Sequence, residues 1–300
     1  MYPIRFEPIY KDYVWGGERI GQKYGRKVGK AAESWEISDR EEGMSVVANG
    51  IYKGRTLHEL LLELGEKLIG EGQKCDRFPL LLKIIDAKES LSIQVHPDSG
   101  PEAKTEMWFI LDNSAVYAGL KKGVNKEALQ KAKKMEELLE HYELRRGEAV
   151  YIPGGRVHAI CAGSLLFEVQ QNSNTTYRLY DWGRKSRDLH VKEALEAMNW
   201  HDKSQAKATL HKLSSDMQHQ LVTVVSSPFF IVERYDIFKA FHIGSIPQSF
   251  QIFFFIEGEG TIEVDGTKEP FKAGQTFLVP AASQSIDIAG KCQALRIRLP

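Results

Sequence analysis

The stretch GEAVYIPGGRVH, residues 147–158, carries more structural information than any other part of the chain. Its glycine, proline and histidine residues follow the spacing G-x5-P-x-G-x2-H, from Gly147 to His158. The apolar run 149–152 predicts a short buried strand, and the Pro-Gly-Gly turn after it interrupts the hydrogen-bond ladder. His158 then begins the next predicted strand, where an imidazole that points into a small barrel can bind a metal ion.

Further possible metal ligands precede this stretch. Segment 91–96 alternates apolar and polar side chains, which predicts a strand with one face packed against a neighbouring layer. Gln94 and His96 share the polar face, two residues apart, as two ligands of one ion would, and Glu106 begins the next strand. With His158 they offer nitrogen and oxygen donors and no thiolate. This donor set suits catalytic zinc. It could also bind iron, manganese or cobalt.

The spacing in 147–158 is similar to the second motif of cupin barrels, and other segments narrow the resemblance. Cupins at large carry His-x-His where this chain has Gln94-x-His96. Three segments resemble the short bacterial form of type I mannose-6-phosphate isomerases: Leu91–Pro97 (LSIQVHP), Lys104–Trp108 (KTEMW) and Asn172–Asp181. The resemblance extends from the turn at Trp15 to the C-terminus, so it covers nearly the whole chain.

The resemblance implies a set of site residues. The family's zinc ligands correspond to four residues here: Gln94, His96, Glu106 and His158. The family's active-site arginine corresponds to Arg178, and strand alternation predicts that Arg178 and Tyr180 face the same pocket. Lys83 and Lys104 are candidates for binding a substrate phosphate. Longer relatives carry a histidine directly before the lysine that matches Lys104, and this chain has Ala103, so no role of that histidine transfers.

The implied function is that of a zinc-dependent aldose–ketose isomerase with one zinc per chain. It would interconvert mannose 6-phosphate and fructose 6-phosphate through an enediol intermediate, and the residue that transfers the proton is not identified. One alternative is a cupin iron oxygenase, which uses two histidines and one carboxylate. The extra ligand Gln94 disfavours it, because oxygen activation needs open coordination positions. The other alternative is a non-catalytic sugar-binding cupin that retains the pocket.

Composition limits the classes of partner and location. Forty basic and forty acidic side chains leave no net charge, so no nucleic-acid partner is expected. The most apolar run, 250–256, is far shorter than the roughly 20 residues of a membrane helix. The N-terminus lacks a basic segment followed by an apolar one, so no secretory signal is expected. Cys75, Cys161 and Cys292 are isolated, which indicates reduced thiols and a cytoplasmic location. The oligomeric state is left open.

The C-terminal part repeats the first signature without its metal ligand. The spacing from Gly274 through Pro280 is the same, but Ser285 stands where the first signature has His158. We therefore predict a mainly β protein with two cupin-type (jelly-roll) β-barrels and helical inserts. Residues 1–215 would form the catalytic domain, and residues 222–300 a degenerate domain without a metal ion.

Helical inserts are predicted from capping and periodicity. Thr56 and Glu59 have the spacing of a capping box, and leucines at helical spacing follow them. Asn125 is a plausible N-cap for a second helix over 125–142, and a third helix is predicted over 191–200. The polar segment 201–220 is interpreted as the connection to the second domain.

Overall fold

The computed structural model describes residues 1–300, which are 45% strand and 12% helix. The helices are α1 (Arg19–Tyr24), α2 (Leu57–Leu64), α3 (Glu66–Ile69), α4 (Lys126–Lys131) and α5 (Val191–Ala197), with one 3-10 turn at Met135–Leu138. The strands are β1 (Ile4–Arg5), β2 (Ile9–Lys11), β3 (Glu33–Ile37), β4 (Asp39–Arg40), β5 (Gly43–Met44), β6 (Leu80–Ala87), β7 (Ile93–Val95), β8 (Glu106–Asp112), β9 (Ser114–Leu120), β10 (Leu139–Leu144), β11 (Ala149–Ile152), β12 (His158–Ile160), β13 (Ser164–Gln171), β14 (Tyr177–Tyr180), β15 (His211–Ser215), β16 (His219–Ser226), β17 (Ile231–Ile237), β18 (Ala240–Gly244), β19 (Gln251–Val264), β20 (Thr267–Lys272), β21 (Thr276–Val279) and β22 (Ser285–Arg298). The mainly β class is confirmed, and the division into two barrels stays a prediction. None of the helices has the length and apolarity that crossing a membrane requires.

Spatial contacts divide the chain into two compact units. The first unit consists of residues 1–9, 36–80 and 209–300, and the second unit consists of residues 10–35 and 81–208. Each unit therefore combines segments that are distant in the sequence. The linear domain boundaries, 1–215 and 222–300, stay a prediction.

The first unit is built on a nine-stranded antiparallel sheet. Its main path runs β1-β21-β19-β22-β17-β16-β15, with β18 on β22 and β20 on β19. The core consists mainly of aromatic and β-branched side chains, including Phe253, Phe255 and Phe277. A polar cluster is buried in the same unit: Arg296 contacts the carboxylate of Glu233 and donates a 3.1 Å hydrogen bond to Oε1 of Gln251.

The second unit contains two sheets that enclose a core. One has the strand order β10-β9-β12-β7-β14, and the other has β11-β8-β13-β6-β3-β2. Val116 and Ile160 from the first of these sheets pack with Trp108, Val150 and Leu166 from the second. Side chains that point inward from facing strands of this unit therefore approach one another between the sheets.

The signature 147–158 forms the local structure that its spacing predicts. Strand β11 ends at Ile152, and β12 begins at His158 after the Pro-Gly-Gly turn. Gly147 and Gly155 have φ angles of 86° and 81°, a region that glycine occupies without the steric cost that a Cβ atom adds. The turn thus lets the chain pass from one sheet of the second unit to the other within five residues.

The predicted capping box is confirmed at the start of α2. The Thr56 side chain accepts a hydrogen bond from the Glu59 backbone N–H, and the Glu59 carboxylate accepts one from the Thr56 backbone N–H. These bonds satisfy two N–H groups that the helix itself leaves without partners. Leu57, Leu60 and Leu61 form its buried face.

The predicted helix over 125–142 is wrong in length. Asn125 caps α4 as expected, but α4 ends at Lys131, and residues 139–144 form β10. Strand β10 pairs with β9 and buries Leu139 and Leu144 at its two ends. Pairing with an existing sheet therefore outweighs the helical spacing of the apolar residues, which is a weak determinant beside tertiary packing.

Three other local predictions need correction. Helix α5 ends at Ala197 rather than at residue 200, and segment 201–220 includes strand β15 and the start of β16. Arg178 and Tyr180 do not share a face, because the pairing of β14 with β7 shifts by one residue between them. Tyr180 consequently packs against the apolar cluster that contains Ile93 and Val95.

Candidate active site

Three polar side chains lie side by side on the five-stranded sheet of the second unit. His158 on β12 is directly opposite Gln94 on β7, and Gln94 is directly opposite Arg178 on β14. Residues opposite each other in antiparallel strands project from the same face of the sheet. The register thus brings together residues that are 64 and 84 positions apart in the sequence.

Glu106 meets this row from the other sheet of the second unit. Its Oε2 lies 3.4 Å from Nε2 of His96, and its Oε1 lies 3.4 Å from Nε2 of His158. The ligand atoms of these three residues all lie within 4.8 Å of one another, and each side chain is about 1% exposed. Gln94 adjoins the group, with its amide nitrogen 3.3 Å from Nε2 of His158.

Backbone carbonyls fix the tautomers of both histidines. Nδ1 of His96 lies 2.9 Å from the carbonyl oxygen of Thr175, and Nδ1 of His158 lies 2.8 Å from that of Arg156. Because a carbonyl oxygen only accepts hydrogen bonds, each Nδ1 carries the hydrogen. Each Nε2 is therefore unprotonated and has a free lone pair. Nε2 of His96 and Oε1 of Glu106 have no hydrogen-bond partner although both are buried. The arrangement aims acceptor atoms at one another, which a cation between them would satisfy.

Burial keeps both imidazoles neutral. It lowers the pKa of His96 to about 3, and it also lowers the pKa of His158. Burial alone would raise the pKa of Glu106, but the ammonium group of Lys104, 2.9 Å from Oε2, holds that pKa well below its ordinary value. The three residues therefore present two neutral nitrogens and one carboxylate, the protonation states that metal ligands need.

A network of buried charges lies beside this group. Nζ of Lys83 lies 3.2 Å from Glu168 and 3.6 Å from Glu33. Two indoles support these carboxylates, because Trp108 donates to Glu168 and Trp35 donates to Glu33. Although burial opposes the charged form of Lys83, the two carboxylates keep its pKa above the ordinary value. Burial raises the pKa of Glu168, and the charge of Lys83 opposes that rise.

These groups open onto a cleft of about 180 Å³ within the second unit. Its lining residues are Tyr13, Trp15, Glu33, Lys83, Ile85, Leu91, Gln94, Lys104, Glu106, Trp108, Ile160, Glu168, Asn174, Thr176, Arg178 and Arg187. The guanidinium of Arg178 forms no ion pair, and its buried Nε has no hydrogen-bond partner. Burial lowers the pKa of Arg178, and the nearby charge of Arg187 lowers it further.

The structure brings together the site residues that the sequence nominates. His96, Glu106 and His158 form the cluster that could hold a metal ion, and Gln94 and Arg178 lie next to it. Lys83 and Lys104 also line the cleft, each beside a carboxylate. Sequence reasoning missed three charged cleft residues, namely Glu33, Glu168 and Arg187. Glu168 lies on β13, the strand that directly follows β12 with His158, and a search for carboxylates on inward-facing strand positions would have found it.

Comparison with known proteins gives a consistent family. The model for the catalytic domain of type I phosphomannose isomerase matches residues 4–121, and the model for the cupin domain of mannose-6-phosphate isomerase matches residues 220–299. The chain is 33% identical to the mannose-6-phosphate isomerase ManA of Bacillus subtilis, over 98% of each chain. The chain belongs to the type I phosphomannose isomerase family.

Further similarities to members of this family extend over the whole chain. The mannose-6-phosphate isomerase of Streptococcus mutans is 32% identical over 98% of this chain and 97% of its own. The crystal structure of the Bacillus subtilis mannose 6-phosphate isomerase superimposes with a TM-score of 0.90 at 33% identity and covers 99% of both chains. The resemblance that the sequence motifs indicate is therefore confirmed at the level of the family.

Proposed function

We propose that this chain is a zinc-dependent aldose–ketose isomerase that interconverts mannose 6-phosphate and fructose 6-phosphate through an enediol. The observation that carries the proposal is the buried group of His96, Glu106 and His158, whose acceptor atoms face one another and of which Glu106 lines the cleft. Membership of the phosphomannose isomerase family supports the choice of reaction and of a sugar phosphate substrate.

The residues fit a metal ion by their chemistry. Both imidazoles present an unprotonated Nε2, because each Nδ1–H donates to a backbone carbonyl, as histidine ligands of metals commonly do. Gln94 would be the fourth ligand after its terminal amide rotates, so that Oε1 rather than Nε2 faces the group. Bound in this position, zinc would supply a Lewis acid that polarises oxygen atoms of the sugar.

Arg178 provides the second electrostatic element of the proposed mechanism. The reaction opens the sugar ring, removes a proton from the carbon next to the carbonyl and returns it to the neighbouring carbon. Negative charge develops on the oxygens of the enediolate during this transfer. Arg178 lies opposite Gln94 and forms no ion pair, so its permanent charge is available to stabilise that anion.

Lys83 and Lys104 are the other cations of the cleft with a proposed role. Lys104, beside Glu106, and Lys83, between Glu33 and Glu168, remain the cations proposed from sequence to contact substrate. The buried ion pairs also keep the walls of the cleft in one conformation, because breaking any of them would leave an unpaired buried charge.

Metal analysis combined with a coupled assay tests the proposal. We expect one zinc ion per purified chain, activity on mannose 6-phosphate, loss of activity on chelation and recovery when zinc is added. His158→Ala should lose both metal and activity. Full metal content in His158→Ala would refute the ligand assignment, and two ions per chain would refute the single site. A metal-loaded chain that leaves mannose 6-phosphate unchanged would refute the isomerase and favour a non-catalytic or oxidative protein.

A further inference from the structure

Four cationic side chains line the cleft, and two of them are already neutralised there. Lys83 lies between Glu168 and Glu33, both of which also line the cleft. Lys104 contacts Glu106 at 2.9 Å and is 6% exposed. A substrate phosphate that approached either ammonium group would meet the adjacent carboxylate, whose negative charge repels it. The other two cations, Arg178 and Arg187, have no carboxylate among the cleft residues.

The contacts of Arg187 leave part of its guanidinium available. Nε donates to Oδ2 of Asp181 at 3.0 Å, and Nη2 donates to Oδ1 at 2.6 Å. The remaining nitrogen, Nη1, makes no hydrogen bond in the structure. The side chain is 21% exposed, whereas Asp181 is 1% exposed. Asp181 thus holds one edge of the guanidinium, and the opposite edge can reach a ligand in the cleft.

Asp181 is itself held by a tight turn. The backbone N–H of Arg184 donates to the Asp181 carbonyl at 2.9 Å, and the two central residues, Trp182 and Gly183, have φ angles of 53° and 78°. A positive φ is costly for a tryptophan. Its indole is fixed by a 2.6 Å hydrogen bond to the carbonyl of Leu91. Surrounding contacts therefore hold a strained turn that aims Asp181 at Arg187, a pattern typical of functional sites.

The charges around this turn favour an anion. Asp181 carries one negative charge and is contacted by two guanidiniums, those of Arg184 and Arg187, and Arg184 also contacts Glu89. Arg178 is close enough for the charge of Arg187 to act on it. The carboxylates of Asp181 and Asp188 oppose that effect, but neither of them lines the cleft. Two guanidiniums that repel each other are both stabilised when an anion binds near them. Phosphate suits such a site, because guanidinium nitrogens match the spacing of its oxygens.

We infer that Arg187 binds the phosphate group of the substrate and that Asp181 is the positioning residue that orients it. The inference rests on the proposed function and adds the location of the substrate phosphate within the cleft. Arg178, opposite Gln94, then serves the reacting end of the sugar, and Arg187 serves the phosphate end.

The test compares Arg187→Gln with wild type in two measurements. We expect KM for mannose 6-phosphate to rise on the order of 10- to 100-fold, the loss typical of one charge-assisted hydrogen bond, while kcat changes little. Phosphate keeps its charge throughout the reaction, so binding it equally in ground and transition states affects KM alone. Calorimetric titration with inorganic phosphate should show an equal loss of affinity, and this readout does not require turnover.

Arg184→Gln is the matched control. Arg184 contacts the same carboxylate but donates its remaining bonds to Ser90 and Glu89 and does not line the cleft. We expect less than about threefold change in either measurement, because Asp181 keeps both of its hydrogen bonds to Arg187 when Arg184 is replaced. Asp181→Asn should weaken phosphate binding, and Arg187→Lys, which keeps the charge but not the paired geometry, should retain part of the affinity.

Several results would overturn the inference. One is unchanged phosphate affinity in Arg187→Gln. Another is a loss of phosphate affinity in Lys83→Met or Lys104→Met that Arg187→Gln does not show. If Arg187→Gln is unstable, the comparison of Arg187→Lys with Arg184→Lys decides, and equal phosphate affinities in these two would count against Arg187. A chain that binds phosphate through Arg187 but does not isomerise mannose 6-phosphate would refute the proposed function and leave this inference standing.

Discussion

Arg178 is the residue whose substitution tests the chemical step most directly. Its guanidinium lies opposite Gln94, forms no ion pair and stays protonated, so it can act only on an anion. If that anion is the enediolate, the interaction exists in the transition state and not in the ground state. We then expect Arg178→Ala to lower kcat on the order of 10²- to 10³-fold with KM little changed.

Steady-state kinetics with zinc content measured on the same samples checks this prediction. The zinc measurement excludes collapse of the neighbouring metal ligands as the cause of lost activity. A rise in KM with kcat preserved would move Arg178 to phosphate binding. A folded, zinc-loaded variant with kcat near that of wild type would remove Arg178 from the chemical step.

The two buried histidines predict how the metal-free chain responds to acid. Burial lowers the pKa of His96 to about 3 and lowers that of His158, whereas in the unfolded chain both have a pKa of about 6.5. Between these values the unfolded state binds more protons, so the free energy of unfolding falls as pH falls. We expect the melting temperature of metal-free protein to decrease from about pH 6.5 downward, and to decrease less steeply in His96→Gln. If the melting temperature falls with pH equally steeply in wild type and in His96→Gln, the prediction is contradicted.

The sequence alone identifies some residues of the cleft, and there is a physical reason why it does not identify the others. Gln94 and His96 are recognisable because strand alternation gives them a common face, and His158 because its turn needs glycine and proline. Glu33 and Glu168 lie on strands of the same sheet, but nothing in the sequence states that β3, β6 and β13 are neighbours. Strand order and register are set by pairing over long sequence distances, which a local pattern does not encode.

Among the elements, α2 offers a test of local sequence rules that is separate from catalysis. Its capping box joins Thr56 and Glu59 through two reciprocal hydrogen bonds. Thr56→Ala should reduce the free energy of unfolding by about 1 kcal/mol, which thermal unfolding would measure as a lower melting temperature. Thr56→Ser keeps the hydroxyl and should stay close to wild type. The helix contributes no residue to the cleft, so a change in kcat of Thr56→Ala would count against a purely local effect.

Elements with strong local signals are predicted well, and elements defined by partners are not. The turn before β12 and the start of α2 follow from residues within a few positions of each other. The helix predicted over 125–142 fails because residues 139–144 find a partner in β9. The helical spacing there is real, but burial of Leu139 and Leu144 in a sheet is available only in the folded chain.

At the scale of the whole molecule, the first unit joins both ends of the chain. Strand β1 pairs with β21, the carbonyl of Leu68 accepts a hydrogen bond from Ala281, and the ring of Phe78 packs on that of Phe250 at 4.6 Å. Residues 1–9 and 36–80 therefore bury apolar side chains against the C-terminal segment 209–300 of the same unit. A domain boundary drawn along the sequence cuts through these contacts.

The arrangement predicts the behaviour of a truncated chain. A fragment of residues 1–215 would keep every cleft residue but lose the strands that cover residues 1–9 and 36–80 of the first unit. Ile4 and Phe78 are fully buried in the intact chain. In the fragment they would be exposed to solvent, which favours aggregation over folding. We expect the fragment to lack a cooperative thermal transition, and addition of a 216–300 fragment to restore one. A soluble 1–215 fragment that melts sharply and binds one zinc ion would instead establish the linear domain division, because it would have a core of its own.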